Sequence, residues 1–255
     1  MFKRIICLIA CIVFTASMVG CAGNSNSVDS IKKKGKIIMA TEATFEPFEF
    51  RENNQIVGID VEIAKEVAKE LEVELVIEEM EFGSLLAAVS SGKVDFIVAG
   101  LSVDEDRKKN VDFSDPYFNA SQMIIVKKDS NITSKVDLEG KKIGVQQGTT
   151  GDKEASNIKD STVERYTKTT DAVQALKQGK LDAIVLDNFP STVFVTKNPE
   201  LKMLDEVLIT DTYAIAVKKG NEELTNNINK VLSRLKDSGE LDKIIDKYSS
   251  ALGVE

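Results

Sequence analysis

The sequence predicts an α/β protein built from two similar halves, because short apolar segments alternate along it with helical segments. A second observation is a repeat: AVSSGKVDFIVAG at residues 88–100 returns as ALKQGKLDAIVLD at residues 175–187. Each copy reads as a helix end, a Gly-Lys turn, an aspartate and a short β-branched strand. The pattern favours parallel sheets covered by helices in two α/β lobes. The alternative is that the repeated segment is an ordinary helix-to-strand turn.

The individual elements follow from hydrophobic periodicity and turn residues. The expected strands are residues 36–41, 74–80, 96–99 and 122–126 in the first half, and 142–145, 163–166, 183–186 and 213–217 in the second. The expected helices are residues 60–71, 82–91, 150–157, 169–178 and 189–197, followed by a charged amphipathic stretch over 222–248 that is broken at Gly239.

Composition excludes several classes of function. The 255 residues are 42% hydrophobic and 29% charged, as is usual for a globular protein. The net charge of −8 argues against a nucleic-acid partner, because phosphate binding needs a basic face. The chain contains no histidine, which excludes a histidine base, a Ser-His-Asp triad and a His-ligated metal. We expect a monomer with neither a metal nor a cofactor.

The N-terminus has the features of an export signal. Two positive residues precede a mostly apolar run over 5–19, which is short for a membrane span but suits a signal peptide. The run ends in Met-Val-Gly-Cys at 18–21, which resembles a bacterial lipobox. We expect a signal peptide over 1–20, lipidation of Cys21 and a flexible tether over 21–34. The protein would then be lipid-anchored at the extracytoplasmic face of the cell membrane. The alternative is a plain signal peptide with a chance cysteine.

Polar and aromatic side chains gather just beyond the predicted strands. In open parallel sheets, ligands bind beyond the carboxyl ends of the strands, so these residues are candidates for a binding site. They are Glu42, Phe45, Phe82, Gly100, Ser102, Arg107, Gln146, Thr149, Thr150 and Asp187.

The chemistry of this set matches a free α-amino acid. Arg107 can grip a carboxylate through two parallel hydrogen bonds, and backbone N–H groups near Ser102 can assist it. Asp187 can hold an ammonium group from the other half of the chain. Phe45 and Phe82 can cover the stem between the two charges.

Each residue also has an ordinary structural interpretation. Arg107 could be a solvated helix charge, and Asp187 could cap the helix that follows it. Thr149 and Thr150 could be simple N-caps, and the two phenylalanines could belong to the core. Only their convergence on strand ends favours a binding site.

Longer motifs carry a family resemblance. ATEATFEPFEF, GIDVEIAKEVA, GKVDFIVAGLSVDEDRKKNVDFSDPYF and GVQQGTTGD occur in an order that resembles the polar amino acid-binding proteins of bacterial ABC importers, extracellular solute-binding family 3. The likeness covers residues 36–248. It implies a type II periplasmic-binding fold, in which two Rossmann-like lobes are joined by crossovers near 119–122 and 207–212. Lobe 1 would comprise residues 35–119 and 212–255, and lobe 2 residues 120–211.

The resemblance also implies roles and partners. Arg107 would bind the ligand's carboxylate, and Asp187 and the Gly100 carbonyl its ammonium. Glu42 and Gln146 would contact its side chain, which favours a basic amino acid. If Glu42 faces solvent instead, the preference would be broad. The partner would be the permease of an ABC importer, and we expect no enzymatic activity. A solute sensor for a signalling partner and a dehydratase on the same fold are the alternatives.

Within the same resemblance, four residues have expected places. The aromatic pair around the ligand falls on Phe45 and Phe82, while Ser102 and Thr150 assist at the two ends.

Overall fold

The computed structural model describes residues 27–250. The expected signal peptide and Cys21 therefore lie outside the described residues.

Fourteen strands and nine α-helices occupy this part of the chain. The strands are β1 Lys36–Thr41, β2 Thr44–Phe45, β3 Glu49–Glu52, β4 Gln55–Val57, β5 Glu74–Glu79, β6 Phe96–Ile97, β7 Val111–Phe113, β8 Phe118–Lys127, β9 Lys142–Gln146, β10 Thr162–Tyr166, β11 Ala183–Asp187, β12 Leu201–Met203, β13 Ile209–Tyr213 and β14 Ala216–Lys218. The helices are α1 Val28–Lys34, α2 Ile59–Glu70, α3 Phe82–Ser91, α4 Glu105–Lys108, α5 Thr150–Ser156, α6 Thr169–Lys177, α7 Asn188–Lys197, α8 Glu222–Asp237 and α9 Glu240–Ser249. A 3-10 turn covers Lys135–Leu138.

The strands form one main sheet in each lobe. The first sheet has the order β5-β1-β6-β14-β7, and a small antiparallel sheet of β2, β3 and β4 lies beside it. The second sheet has the order β10-β9-β11-β8-β12, with β13 also paired to β8. Strands that follow a helical crossover run parallel, whereas β14 and β8 run antiparallel to their neighbours. The sheets are therefore mixed, whereas the sequence pattern favoured parallel sheets.

Two adjacent segments of chain connect the lobes. Strands β8 and β13 pair antiparallel from Ile209 opposite Gln122 to Tyr213 opposite Phe118. Just beyond this ribbon the chain enters the first sheet at β7 on one side and β14 on the other. The two connections therefore lie at residues 118–122 and 209–213. They also explain why the single strand expected over 213–217 is two strands: the chain changes sheets there.

The repeat found in the sequence is a repeat in three dimensions. Gly92 follows α3 with a φ of 79°, and Gly179 follows α6 with a φ of 71°. Both have the left-handed conformation that glycine adopts at low cost at the end of a helix. The backbone N–H of Asp95 donates to the Ile38 carbonyl at 2.9 Å, and the Asp95 carboxylate accepts from the Ile38 N–H at 2.8 Å. Asp182 makes the same two bonds with Lys142, at 2.9 and 2.8 Å. Each aspartate therefore fixes its strand against the neighbouring parallel strand, β1 in the first sheet and β9 in the second.

Aromatic rings fill the junction between the lobes. The Phe118 ring lies 4.8 Å from Phe48 and 4.8 Å from Phe189, both edge-to-face. Tyr213 lies 5.1 Å from Phe48, also edge-to-face, and stacks on Phe118 at 5.6 Å. Such pairs stabilise beyond the apolar area they bury. The junction therefore joins β3 and its flanking turn, both crossover strands and α7.

The described end of the expected tether is a helix. Residues 21–34 were expected to be flexible, but α1 packs Val28 and Ile31 into the core of the first lobe. Ser27 caps its N-terminus, and Gly35 ends it with a left-handed turn. The apolar pair three residues apart is the signal that the polar composition concealed. Helix α1 therefore belongs to the first lobe.

Candidate functional site

All ten candidate residues line a single cavity between the two sheets. Residues of both lobes contribute to the walls of this cavity. Two residues absent from the candidate set, Glu49 and Ala99, complete its lining. The convergence that favoured a binding site over separate structural roles is thus present in the fold.

Arg107 lies at one end of the cavity and is buried, so the interpretation as a solvated helix charge was wrong. Its Nη1 donates to the Ser102 carbonyl at 2.6 Å, and its Nη2 donates to the Gly148 carbonyl of the other lobe at 2.9 Å. The guanidinium also faces the Phe82 ring at 5.6 Å and approaches Asp104 at 3.4 Å. Burial lowers the pKa of Arg107, and Asp104 opposes that shift. A buried guanidinium with neutral carbonyl partners favours binding of an anion.

Two residues at the start of α5 lie near the same lobe boundary. Thr149 is the N-cap of this helix, and its hydroxyl accepts from the Asp152 N–H at 3.2 Å and donates to the Gln146 carbonyl at 2.8 Å. Thr150 is the first helical residue. The interpretation of Thr149 as a helix N-cap is therefore confirmed. Both threonines also line the cavity.

Asp187 comes from the second lobe, at the end of β11. It precedes α7 but makes no side-chain capping bond, so it does not serve as a cap. Its Oδ1 instead accepts from Gln122 Nε2 and from the Tyr213 hydroxyl, both at 2.6 Å. Burial raises the pKa of Asp187 to about 7, and the negative charge of Asp211 adds to the shift. A buried carboxylate of this kind is stabilised by a cationic partner.

Position 100 requires a glycine, because the ring of Phe45 lies too close to where a Cβ atom would be. Its φ is +49°, and an added Cβ would come 2.7 Å from a ring atom of Phe45. Its N–H donates to the Asp60 carboxylate at 2.8 Å. A ligand in the cavity can therefore approach the backbone at this position.

Glu42 and Gln146 meet across the lobe boundary. Gln146 Nε2 donates to Glu42 Oε2 at 2.6 Å, while the Thr44 hydroxyl donates to Glu42 Oε1 at 3.0 Å. The Thr169 hydroxyl donates to Gln146 Oε1 at 3.1 Å. Glu42 is buried, not solvent-facing, and burial raises its pKa while Gln146 lowers it. This wall of the cavity therefore offers an acidic, hydrogen-bonding surface.

Several residues that shape the site were missed by the sequence analysis. Gln122, Asp211 and Tyr213 lie on the crossover strands, where they orient or face Asp187. Glu49 and Asp60 form a buried acidic pair beneath Gly100. Gln122, a buried polar residue directly before the apolar run at 123–126, was a signal that could have been found.

A second, more open groove lies on the outer side of the first lobe. It is lined by Val103, Phe113, Ser114 and Thr212 among others, and it contains none of the candidate residues. Between residues 27 and 250, no helix has the length and apolar character needed to cross a bilayer.

Two α/β lobes, joined by paired crossover strands and enclosing a polar cavity, define the type II periplasmic-binding fold. The chain belongs to the bacterial extracellular solute-binding proteins, family 3, whose sequence pattern matches residues 37–251. This membership confirms the expected fold class, and it places the chain among solute-binding proteins, not enzymes. The family's extracellular description agrees with the expected extracytoplasmic location.

Relatives in the family are similar over nearly the whole chain. The arginine-binding extracellular protein ArtP of Bacillus subtilis is 36% identical, with 94% of each chain covered. The amino acid ABC transporter substrate-binding protein AbpA of Streptococcus pneumoniae, bound to L-arginine, is 37% identical with a TM-score of 0.84, covering 89% of this chain and 100% of that one. The arginine-bound form of truncated ArgBP from T. maritima is 46% identical with a TM-score of 0.79, covering 81% of this chain and 99% of that one.

Proposed function

We propose that this protein binds a free polar amino acid, preferentially a basic one, between its lobes and delivers it to an ABC importer. The observation that carries the proposal is the placement of Arg107 and Asp187 on opposite lobes of one cavity. A zwitterion that bridges them would satisfy a buried cation and a buried carboxylate together.

The carboxylate of the ligand binds at Arg107. The two Nη atoms now donate to backbone carbonyls, and the guanidinium retains further N–H donors for a carboxylate. Ser102, Thr149 and Thr150 line the cavity with it and assist at this end. Phe82 covers the guanidinium from one side.

The ammonium group binds at Asp187 and at the Gly100 carbonyl. Tyr213 and Gln122 hold the aspartate in place, so little side-chain freedom is lost when the ligand arrives. Phe45, packed against Gly100, lines the cavity beside it.

The side chain of the ligand extends towards Glu42 and Gln146. A buried carboxylate attracts a guanidinium or an ammonium and repels a second carboxylate, which favours arginine or lysine over glutamate. The arginine-binding relatives agree with this preference.

Binding is coupled to closure of the lobes. A ligand that contacts both lobes stabilises the closed form by its differential affinity, and a transporter can recognise that form. Contacts between the lobes, such as Gln146 with Glu42 and Arg107 with Gly148, already exist in this closed arrangement.

The proposal is tested by calorimetry against the twenty amino acids. We expect arginine or lysine to bind with a Kd of about 1 μM or tighter, which corresponds to about −8 kcal/mol or better. Arg107→Ala should cost about 2–5 kcal/mol, because the ligand carboxylate then lies unpaired in a closed cavity. Lys93→Ala is the control, since this side chain is exposed and pairs with Glu78 of the same lobe. Binding of the Arg107 variant within twofold of wild type would remove that role from Arg107.

We also propose that Cys21 carries a lipid that anchors the protein to the membrane. The motif at 18–21 and the extracellular family support this proposal. Cys21→Ala should release the protein from cell membranes into the soluble fraction. Unchanged membrane retention of the variant would contradict lipidation.

A further inference from the structure

Glu49 is a buried carboxyl group that the proposed binding mode leaves without a role. It lies on β3, is 1% exposed and lines the same cavity as the candidate residues. Its Oε2 is buried and has no hydrogen-bond partner among residues 27–250. Buried polar atoms are almost always satisfied, so an unsatisfied carboxyl oxygen in a cavity wall points to a missing partner.

The neighbour of Glu49 is already committed to other bonds. The two carboxylate oxygens of Asp60 accept from the Gly100 N–H and from the Tyr117 hydroxyl, each at 2.8 Å. Glu49 lies against this carboxylate, and in the ligand-free protein it is the protonated member of the pair and donates a hydrogen bond to Asp60. Burial and the adjacent Asp60 raise the pKa of Glu49 well above its usual range.

The other charges around Glu49 act in the same direction. Glu42 from the first lobe and Asp187 from the second both face it, and the Tyr117 hydroxyl lies nearby. Arg107 is the basic side chain in the cavity lining. The carboxyl groups of Glu42, Asp60 and Asp187 surround Glu49, and their charges outweigh that of the one guanidinium. The ligand-free cavity therefore favours a neutral Glu49, and a positively charged ligand would favour the ionised form.

An ammonium group needs three hydrogen-bond acceptors. Asp187 and the Gly100 carbonyl supply two, and the adjacent Ala99 has no side-chain acceptor. Glu49, whose Oε2 is unpaired among the described residues, lines the same cavity, and Asp60 contacts both Glu49 and the Gly100 N–H.

We infer that Glu49 is a further ligand-binding residue, which accepts from the ammonium of the bound amino acid and releases its own proton to solvent as a cationic ligand enters. The inference rests on the proposed binding of an amino acid. It adds charge neutralisation: the ligand's positive groups replace the proton that Glu49 holds in the empty cavity.

The test is calorimetry with L-arginine near pH 7 in phosphate and in Tris, whose different ionisation enthalpies reveal the number of protons released. We expect wild type to release protons. Glu49→Gln should release about one proton fewer and bind about tenfold more weakly, because the amide keeps the shape and loses the charge. Glu52→Gln is the matched control, being exposed on the same strand.

Two results would overturn the role of Glu49. One is binding of arginine by Glu49→Gln with wild-type affinity and proton count, which would make Glu49 a neutral structural partner of Asp60. The other needs no variant: wild type with ¹³C-labelled glutamate carboxyls should show a protonated glutamate that ionises when arginine is added. Its absence from the ligand-free spectrum would reject the inference. Arginine binding without these effects rejects Glu49 alone, whereas failure to bind any of the twenty amino acids rejects the proposed function as well.

Discussion

At the scale of single residues, Glu42 is the side chain on which ligand preference should depend. Replacing it by Gln keeps the size and the bond from Gln146 but removes the charge. We expect Glu42→Gln to weaken arginine and lysine by about tenfold or more, and glutamine by much less, because only the basic side chains lose an ionic partner. Calorimetry with the three ligands measures this difference. Equal losses for all three would reject a role of Glu42 in specificity.

Asp187 gives the site a pH dependence whose sign follows from its burial. Its pKa is raised to about 7, so the carboxyl of the ligand-free protein is increasingly protonated as the pH falls through 7. An ammonium binds the ionised form, and affinity should therefore increase with pH and level off above the pKa. We expect binding of arginine to be up to about tenfold weaker at pH 6 than at pH 8. Equal affinities at the two pH values would contradict an ionising Asp187 at the ammonium.

At the scale of secondary-structure elements, the two copies of the repeat offer a comparison of one bond in two environments. Asp95 is buried and Asp182 is exposed, although each accepts from a backbone N–H of the neighbouring strand, β1 or β9, at 2.8 Å. Asp95→Ala should lower the free energy of unfolding by about 1–3 kcal/mol, because it leaves the Ile38 N–H unsatisfied. Asp182→Ala should cost less, since water can replace the carboxylate. Denaturant titrations of the two variants measure the difference, and a larger loss at Asp182 would contradict this explanation.

The elements that the sequence predicted well are those with a strong local period. The strand over 36–41, the helix over 82–91 and the break at Gly239 appear as expected, because burial pattern and glycine turns determine them locally. The small sheet of β2, β3 and β4 was missed because its strands are two to four residues long. The order and direction of β14 and β8 depend on where the chain changes lobes, which no local period reports.

At the scale of the whole molecule, the candidate residues could be collected because strand ends of both sheets face one cavity. The sequence did not predict the residues that hold these side chains in place. Tyr213 and Gln122 reach Asp187 from crossover strands that become neighbours only after both lobes have folded. Likewise, Asp60 lies on α2 and contacts Gly100 forty residues later in the chain. Such contacts depend on tertiary packing, so a single sequence carries little trace of them.

Exposed charges of the two lobes also pair with each other. Lys153 of the second lobe pairs with Asp106 of the first at 3.2 Å, and Lys197 of the second lobe pairs with Glu46 of the first. Exposed ion pairs are individually weak and screened by salt, but under the proposed closure both pairs favour the ligand-bound state.

We therefore expect the double variant Lys153→Gln, Lys197→Gln to bind arginine about twofold to tenfold more weakly than wild type at low salt. The difference should disappear at about 1 M salt, where charges farther apart than about 3 Å are screened. Lys65→Gln is the control, because its partner Glu62 lies on the same helix and their distance is independent of closure. Calorimetry at the two salt concentrations measures the effect. A double variant that matches the control at low salt would show that these pairs do not stabilise closure, and the affinity would then depend on the buried contacts alone.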